Sequence, residues 1–197
     1  HHNIFTNKIA YINLSFDTKC VPDELIPYMG LLGSTLSLMD TKNYTYPELT
    51  NEININCGGL ATGTALYSDK VDFSKNTIVY EVKSKALYEK VPFVLGMMEE
   101  IMYNTRFDDY KRLKEIIARI KSRLEASLMG QGHSIAMLEC CAQFSESAYY
   151  SDILRGYKYY EFIKKLDKFT AEHQMNIVVT SSIPIEELPA ELEKYTK

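Results

Sequence analysis

Residues 60–68 read Leu60-Ala61-Thr62-Gly63-Thr64-Ala65-Leu66-Tyr67-Ser68. Residues 77–85 read Thr77-Ile78-Val79-Tyr80-Glu81-Val82-Lys83-Ser84-Lys85. Both runs carry Thr, Tyr and apolar residues that fit a pleated, half-buried surface. A polar stretch at 69–76 separates them. Two such runs joined by a turn predict an antiparallel strand pair. Ile78, Tyr80 and Val82 take one face of the second strand, while Thr77, Glu81 and Lys83 do not all take the other. This pair decides the fold class, because it rules out a strict alternation of strand and helix around a parallel sheet.

The rest of the chain is read outward from this pair. Residues 9–16 alternate, with Ala10, Ile12, Leu14 and Phe16 on one face, which predicts a further half-buried strand. Pro22, Asp23 and Glu24 open a helix whose apolar positions include Leu25, Met29, Leu32, Leu36 and Met39. Its Gly30, Gly33 and Ser34 predict close packing on a sheet. Thr45 and Glu48 form a capping box with Pro47 in the first turn, starting a shorter helix that Gly58 and Gly59 stop. Downstream, 87–103 carries a helical apolar stripe, and Asp108 or Asp109 caps a long helix with Leu113, Ile116, Ile117, Ile120 and Leu124 on its seam. Gly130-Gln131-Gly132 interrupts that helix, and Ser134 restarts it toward Phe144. Residues 157–166 read as a helix, 175–180 as a last strand, and 185–197 as a polar helix or loose tail. The expected class is α+β: a mixed, largely antiparallel sheet with helices packed on one face.

The chain has 197 residues, enough for one domain with its own core and no need of a disulfide or metal. Its net charge of −4 argues against a protein built to grip nucleic-acid phosphates or anionic lipid. The apolar run 91–98 is far too short to span a membrane. Cys20, Cys57, Cys140 and Cys141 contain no C-x-x-C pair, so a zinc knuckle is excluded by spacing; reduced, buried thiols in a cytosolic protein are expected. His1-His2 reads as a purification-tag remnant, and 3–197 as a single domain cut from a larger protein.

The chemistry-bearing residues are sparse. A zinc hydrolase of the H-E-x-x-H or inverted H-x-x-E-H class needs two histidines one helical turn apart. After His133 the corresponding positions hold Ala136 and Met137, so that metal site cannot form here. His133 has no nucleophile motif to serve. Gly58-Gly59-Leu60-Ala61-Thr62-Gly63 precedes a strand, whereas a phosphate cradle lies between a strand and a helix. The basic residues Lys111, Arg112, Lys114, Arg119, Lys121 and Arg123 read as a solvated helix face interspersed with Glu115 and Glu125. Tyr149, Tyr150, Tyr157, Tyr159 and Tyr160 read as an interface more than a ligand platform. No catalytic, cofactor-binding or metal-binding residue is assigned.

Several separated segments resemble one family. They are Leu25-Ile26-Pro27-Tyr28-Met29-Gly30-Leu31-Leu32, then Asp40-Thr41-Lys42-Asn43-Tyr44-Thr45-Tyr46-Pro47-Glu48-Leu49, then Asn51-Glu52-Ile53-Asn54-Ile55-Asn56-Cys57-Gly58-Gly59-Leu60. Arg112-Leu113-Lys114-Glu115-Ile116, Lys121-Ser122-Arg123-Leu124 and Gly132-His133-Ser134-Ile135-Ala136 continue the series. Together they resemble insulinase-like (pitrilysin) zinc metallopeptidases, presequence-protease subfamily, over residues 9–163. The resemblance implies a non-catalytic third domain among four related ones, part of the wall of a chamber in which unfolded peptides are cut. It implies zinc in the parent's first domain and no cofactor in this segment. The implied partners are the other domains of the same protease and its peptide substrate, with no nucleic acid or membrane. The expected compartment is a bacterial cytoplasm ahead of an organellar matrix. One departure stands out: the family has a longer helical stretch between 166 and 175, which puts chain continuity at 168–173 in question. The rival expectation is a free-standing, non-catalytic interaction module related to processing-peptidase subunits. A small-molecule enzyme using His133 and the tyrosines is the weakest of the three readings.

Overall fold

A computed structural model describes residues 5–72 and 75–173. The expected last strand at 175–180 and the tail at 185–197 lie outside the described residues. Three strands, β1 (Ile9–Asp17), β2 (Leu60–Ser68) and β3 (Asn76–Leu87), form one sheet in the order β1-β3-β2. Both pairings are antiparallel, so the described sheet is wholly antiparallel. β1 and β2 therefore run in the same direction on either side of β3. The α1 (Ile26–Thr35) and α2 (Tyr46–Asn56) helices make the crossover between them, a split β-α-β arrangement.

The register explains which side is dry. Ile78, Tyr80, Val82 and Ala86 of β3 are buried among helix residues, while Lys83 and Lys85 are exposed. Strand alternation then puts Thr77, Glu81 and Lys83 together on the opposite face. That corrects the expectation that they do not share one. Helices pack on the even-numbered face, as expected for this class. One core joins Tyr80, Val82 and Ala86 to Leu36, Leu49 and Ile53 and to α3 (Val91–Tyr103) through Val94, Met97, Met98 and Ile101. A second joins α4 (Tyr110–Cys141) to α6 (Tyr157–His173) through Leu113, Ile116, Ile117, Ile120, Tyr159 and Ile163. A third places Ile26, Ile78, Ile153 and Leu154 together. Each fully buried aliphatic side chain contributes about 1.5–3 kcal/mol.

Local signals set the helix ends. Glu48 accepts from the Thr45 N–H at 2.9 Å and from its hydroxyl at 2.7 Å, which anchors α2. Asp109 caps α4 by accepting from the Arg112 N–H at 2.9 Å. Gly59 has φ +115°, which suits glycine at a helix stop. At Gln131 the backbone leaves helical geometry (φ −130°, ψ 29°) between Gly130 and Gly132, and α4 resumes beyond the kink. Glycine is a weak helix former, so the interruption falls where propensity is lowest.

Three further features differ from expectation. The sequence reading contains no helix at α5 (Glu146–Arg155); Ser145 caps it, accepting from the Ala148 N–H. α6 runs to His173, past the expected helix end at 166. Lys121 ties it to α4 through Asp167 at 2.8 Å. The cysteines are not buried: Cys20, Cys140 and Cys141 are exposed and Cys57 is half-buried, all four as free thiols. Burial in α4 ends at Ile120, so the adjacent cysteines lie on a turn that has no core to enter.

Candidate functional site

The residues weighed from sequence do not converge. His133 is exposed just past the α4 kink and makes no hydrogen bond or ion pair among the described residues. The Gly58–Gly63 run is structural. The Gly58 N–H donates to Lys85 O at 2.7 Å, and the Ser84 hydroxyl donates to Gly59 O at 2.8 Å. Two of the six basic residues of α4 hold the fold. Arg112 lies 3.9 Å over the Tyr46 ring and donates to Leu38 O, and Lys121 pairs with Asp167. The tyrosines split into separate pairs, Tyr149 with Tyr150 and Tyr157 with Tyr160, while Tyr159 is buried. No group of three or more His, Cys, Asp or Glu among the described residues could hold a metal ion.

The sheet's odd-numbered face carries the densest polar constellation. Glu81, 4% exposed, sits at the centre of β3 opposite Ser15 of β1 and Gly63 of β2. Its Oε1 accepts from Asn13 Nδ2 at 2.9 Å, from the Tyr67 hydroxyl at 2.8 Å and from the Ser15 hydroxyl at 3.4 Å. Its Oε2 pairs with Lys83 Nζ at 2.5 Å. Burial opposes the charge, but donors from Asn13, Lys83 and Tyr67 outweigh it and hold the carboxyl at about 2. The same contact raises Lys83 and Tyr67. With these four donors committed to a carboxylate that stays charged near neutral pH, the Glu81 cluster supplies no free acid or base there. Sequence reading misses it because the donors lie on three strands and only register brings them together.

A second carboxylate pins the loop after α1. Glu100 of α3, 7% exposed, accepts from the Asn43 N–H at 3.0 Å, Asn43 Nδ2 at 2.8 Å and Asn104 Nδ2 at 2.7 Å. Burial again opposes ionisation and the hydrogen bonds overcome it, so the carboxyl is lowered. The far end of α4 is different in character. Met129 (90% exposed) and Met137 (65%) stand in solvent on either side of the kink, and Phe144 (92%) does so in the turn after the helix. Beyond the kink only Ile135 and Leu138 of the helix are even half-buried.

A sequence model for the family described as peptidase M-16C associated matches residues 1–166. The chain belongs to that family. Its relatives include protein HypA of Clostridium perfringens, 35% identical over 168 residues, which are 85% of this chain and 17% of the relative. The mitochondrial presequence protease of Yarrowia lipolytica is 29% identical over 161 residues, 82% of this chain and 16% of that protein. Presequence protease 1 of Arabidopsis thaliana, chloroplastic/mitochondrial, is 28% identical over 168 residues, 85% and 15% of the two chains. This peptidase-associated chain thus spans under a fifth of the length of each of these relatives, which come from a bacterium and from organelles. The insulinase-like resemblance read from residues 25–60 and 112–136 agrees with the family match. No helix among the described residues is long and apolar enough to cross a membrane.

Proposed function

We propose that this chain is a wall-forming domain of a larger zinc-dependent peptidase that degrades unfolded peptides, with no catalytic residue of its own. The carrying observation is the alignment of most of this chain with a small share of proteins named presequence protease. The sheet supports the reading. Its odd-numbered face is a polar surface ordered by Glu81, which gathers Asn13, Ser15, Tyr67 and Lys83 and neutralises the lysine at the centre. The exposed apolar end of α4 suits contact with a neighbouring domain. Zinc belongs to another domain of the parent, and the working compartment is a bacterial cytoplasm.

Metal analysis and peptide cleavage test this directly. The full-length parent should hold one zinc per chain and cut unfolded peptides, and this chain alone should do neither. Tightly bound zinc or peptidase activity in the isolated chain overturns the proposal. A reading frame with no H-x-x-E-H upstream of Asn3 would favour a free-standing interaction module instead.

A further inference from the structure

A cavity of about 240 Å³ opens between α1, β2, α4, α5 and α6. Its charged lining is of one sign: Arg123 of α4 and Arg155 of α5 border it, and no carboxylate does. That is unexpected in a chain of net charge −4. Neither guanidinium forms an ion pair among the described residues; Arg155 Nη2 reaches only the Ser151 hydroxyl, at 3.4 Å. Leu66, Leu124 and Leu154 supply apolar wall.

The floor holds an orphan. Tyr159 lines the cavity at 4% exposure, and its hydroxyl has no hydrogen-bond partner among the described residues. Leaving such a group buried costs about 1–3 kcal/mol unless a ligand or water satisfies it. The other hydroxyls here are committed. Ser34 donates to Gly30 O at 3.1 Å and Thr62 to Gly33 O at 2.8 Å. Burial pushes the Tyr159 hydroxyl up to about 12, against the lowering influence of Ser34 and Arg123, so it stays protonated.

We propose that this cavity binds a small carboxylic acid with a short apolar stem. Arg123 and Arg155 take the carboxylate, the leucines cover the stem, and Tyr159 closes the floor. Arginine is suited to this because its planar fork matches a carboxylate bidentately. The volume is below that of a drug-sized pocket, which limits the ligand to a small molecule or a single residue end. The inference stands independently of the peptidase reading, because it uses only groups of this chain.

Calorimetric titration of this chain with N-acetyl-leucine, its neutral amide and inorganic phosphate tests it. N-acetyl-leucine should bind saturably at about millimolar strength, and the amide should not. Arg123→Gln and Arg155→Gln should each weaken binding about tenfold. Both arginines are exposed, so both variants should fold. Tyr159→Phe should keep binding and leave the thermal midpoint equal or higher, because it deletes a buried hydroxyl and keeps the ring that closes the floor. No binding of N-acetyl-leucine overturns the proposal. So does equal binding of the amide, phosphate binding as tight as the acid, or affinity unchanged in both arginine variants.

Discussion

A methyl group placed on Gly33 of α1 would lie 2.6 Å from the Gly63 Cα of β2. Helix and strand meet there backbone to backbone, and the Thr62 hydroxyl donates to Gly33 O at 2.8 Å across the contact. The two glycines are not equivalent. A methyl on Gly63 would meet nothing within 4 Å, because it points away from the helix.

Gly33→Ala should therefore destabilise the chain by about 1–3 kcal/mol, since backbone on the far side cannot yield as a flexible side chain would. Gly63→Ala should be neutral or stabilising by up to about 1 kcal/mol, as alanine restricts the unfolded chain. Urea midpoints of the two variants check this; equal losses at both sites would show that the helix can shift to relieve the crowding.

The Gly30, Gly33 and Ser34 run makes this contact legible in the sequence, because small residues on a helix have little other use than close approach. The capping box at Thr45 and Glu48 and the strand pair at 60–85 are legible for the same kind of reason: each signal is local. α5 is not. Its apolar stripe is short, Tyr150 with Ile153 and Leu154 one turn on, the other positions are mostly polar, and its start depends on one Ser145 cap. The cysteines at 140–141 mislead because burial statistics describe residue types, whereas exposure here follows from where α4 outruns its packing partners. The Glu81 constellation and the Arg123–Arg155 cavity are beyond sequence reading, since each joins positions on three or more elements.

Glu81 makes stability pH-dependent in a definite direction. Its folded pKa of about 2 lies below the ordinary 4.5, so its stabilisation is complete above about 4.5 and is lost as pH falls through 2. Glu81→Gln should cost about 1–3 kcal/mol at pH 7, the scale of hydrogen bonds to a charged group. The gap between variant and parent should close as the pH is lowered from 5 toward 2. Urea unfolding across that range measures it, and a gap independent of pH would mean that shape, not charge, is what Glu81 supplies.

Glu100 fastens the loop at Asn43 to α3 through both carboxylate oxygens. Glu100→Ala leaves the Asn43 amide groups and the Asn104 amide without their acceptor, an expected loss of about 2–4 kcal/mol. Hydrogen exchange should localise the damage. The Asn43 N–H, now unbonded, should exchange faster, while amides in the centre of β3 should change only in step with global stability. Uniform acceleration across the chain would show that the loop is not a separable unit.

The apolar end of α4 links the fold to the proposed role. Met129, Met137 and Phe144 are too exposed to contribute much to this chain's own stability. Replacing all three by Ser should move its unfolding midpoint little, within about 0.5 kcal/mol per site. In the full-length parent the same triple substitution should lower peptide cleavage. If these side chains pack against a neighbouring domain, each loses buried apolar area worth about 1.5–3 kcal/mol. The wall then loosens without any change at the metal site, so zinc content should stay at the parental level while cleavage falls. Cleavage and zinc falling together would indicate misfolding of the whole enzyme. Cleavage unchanged in a protein that retains its zinc would place the neighbouring domain elsewhere on this chain.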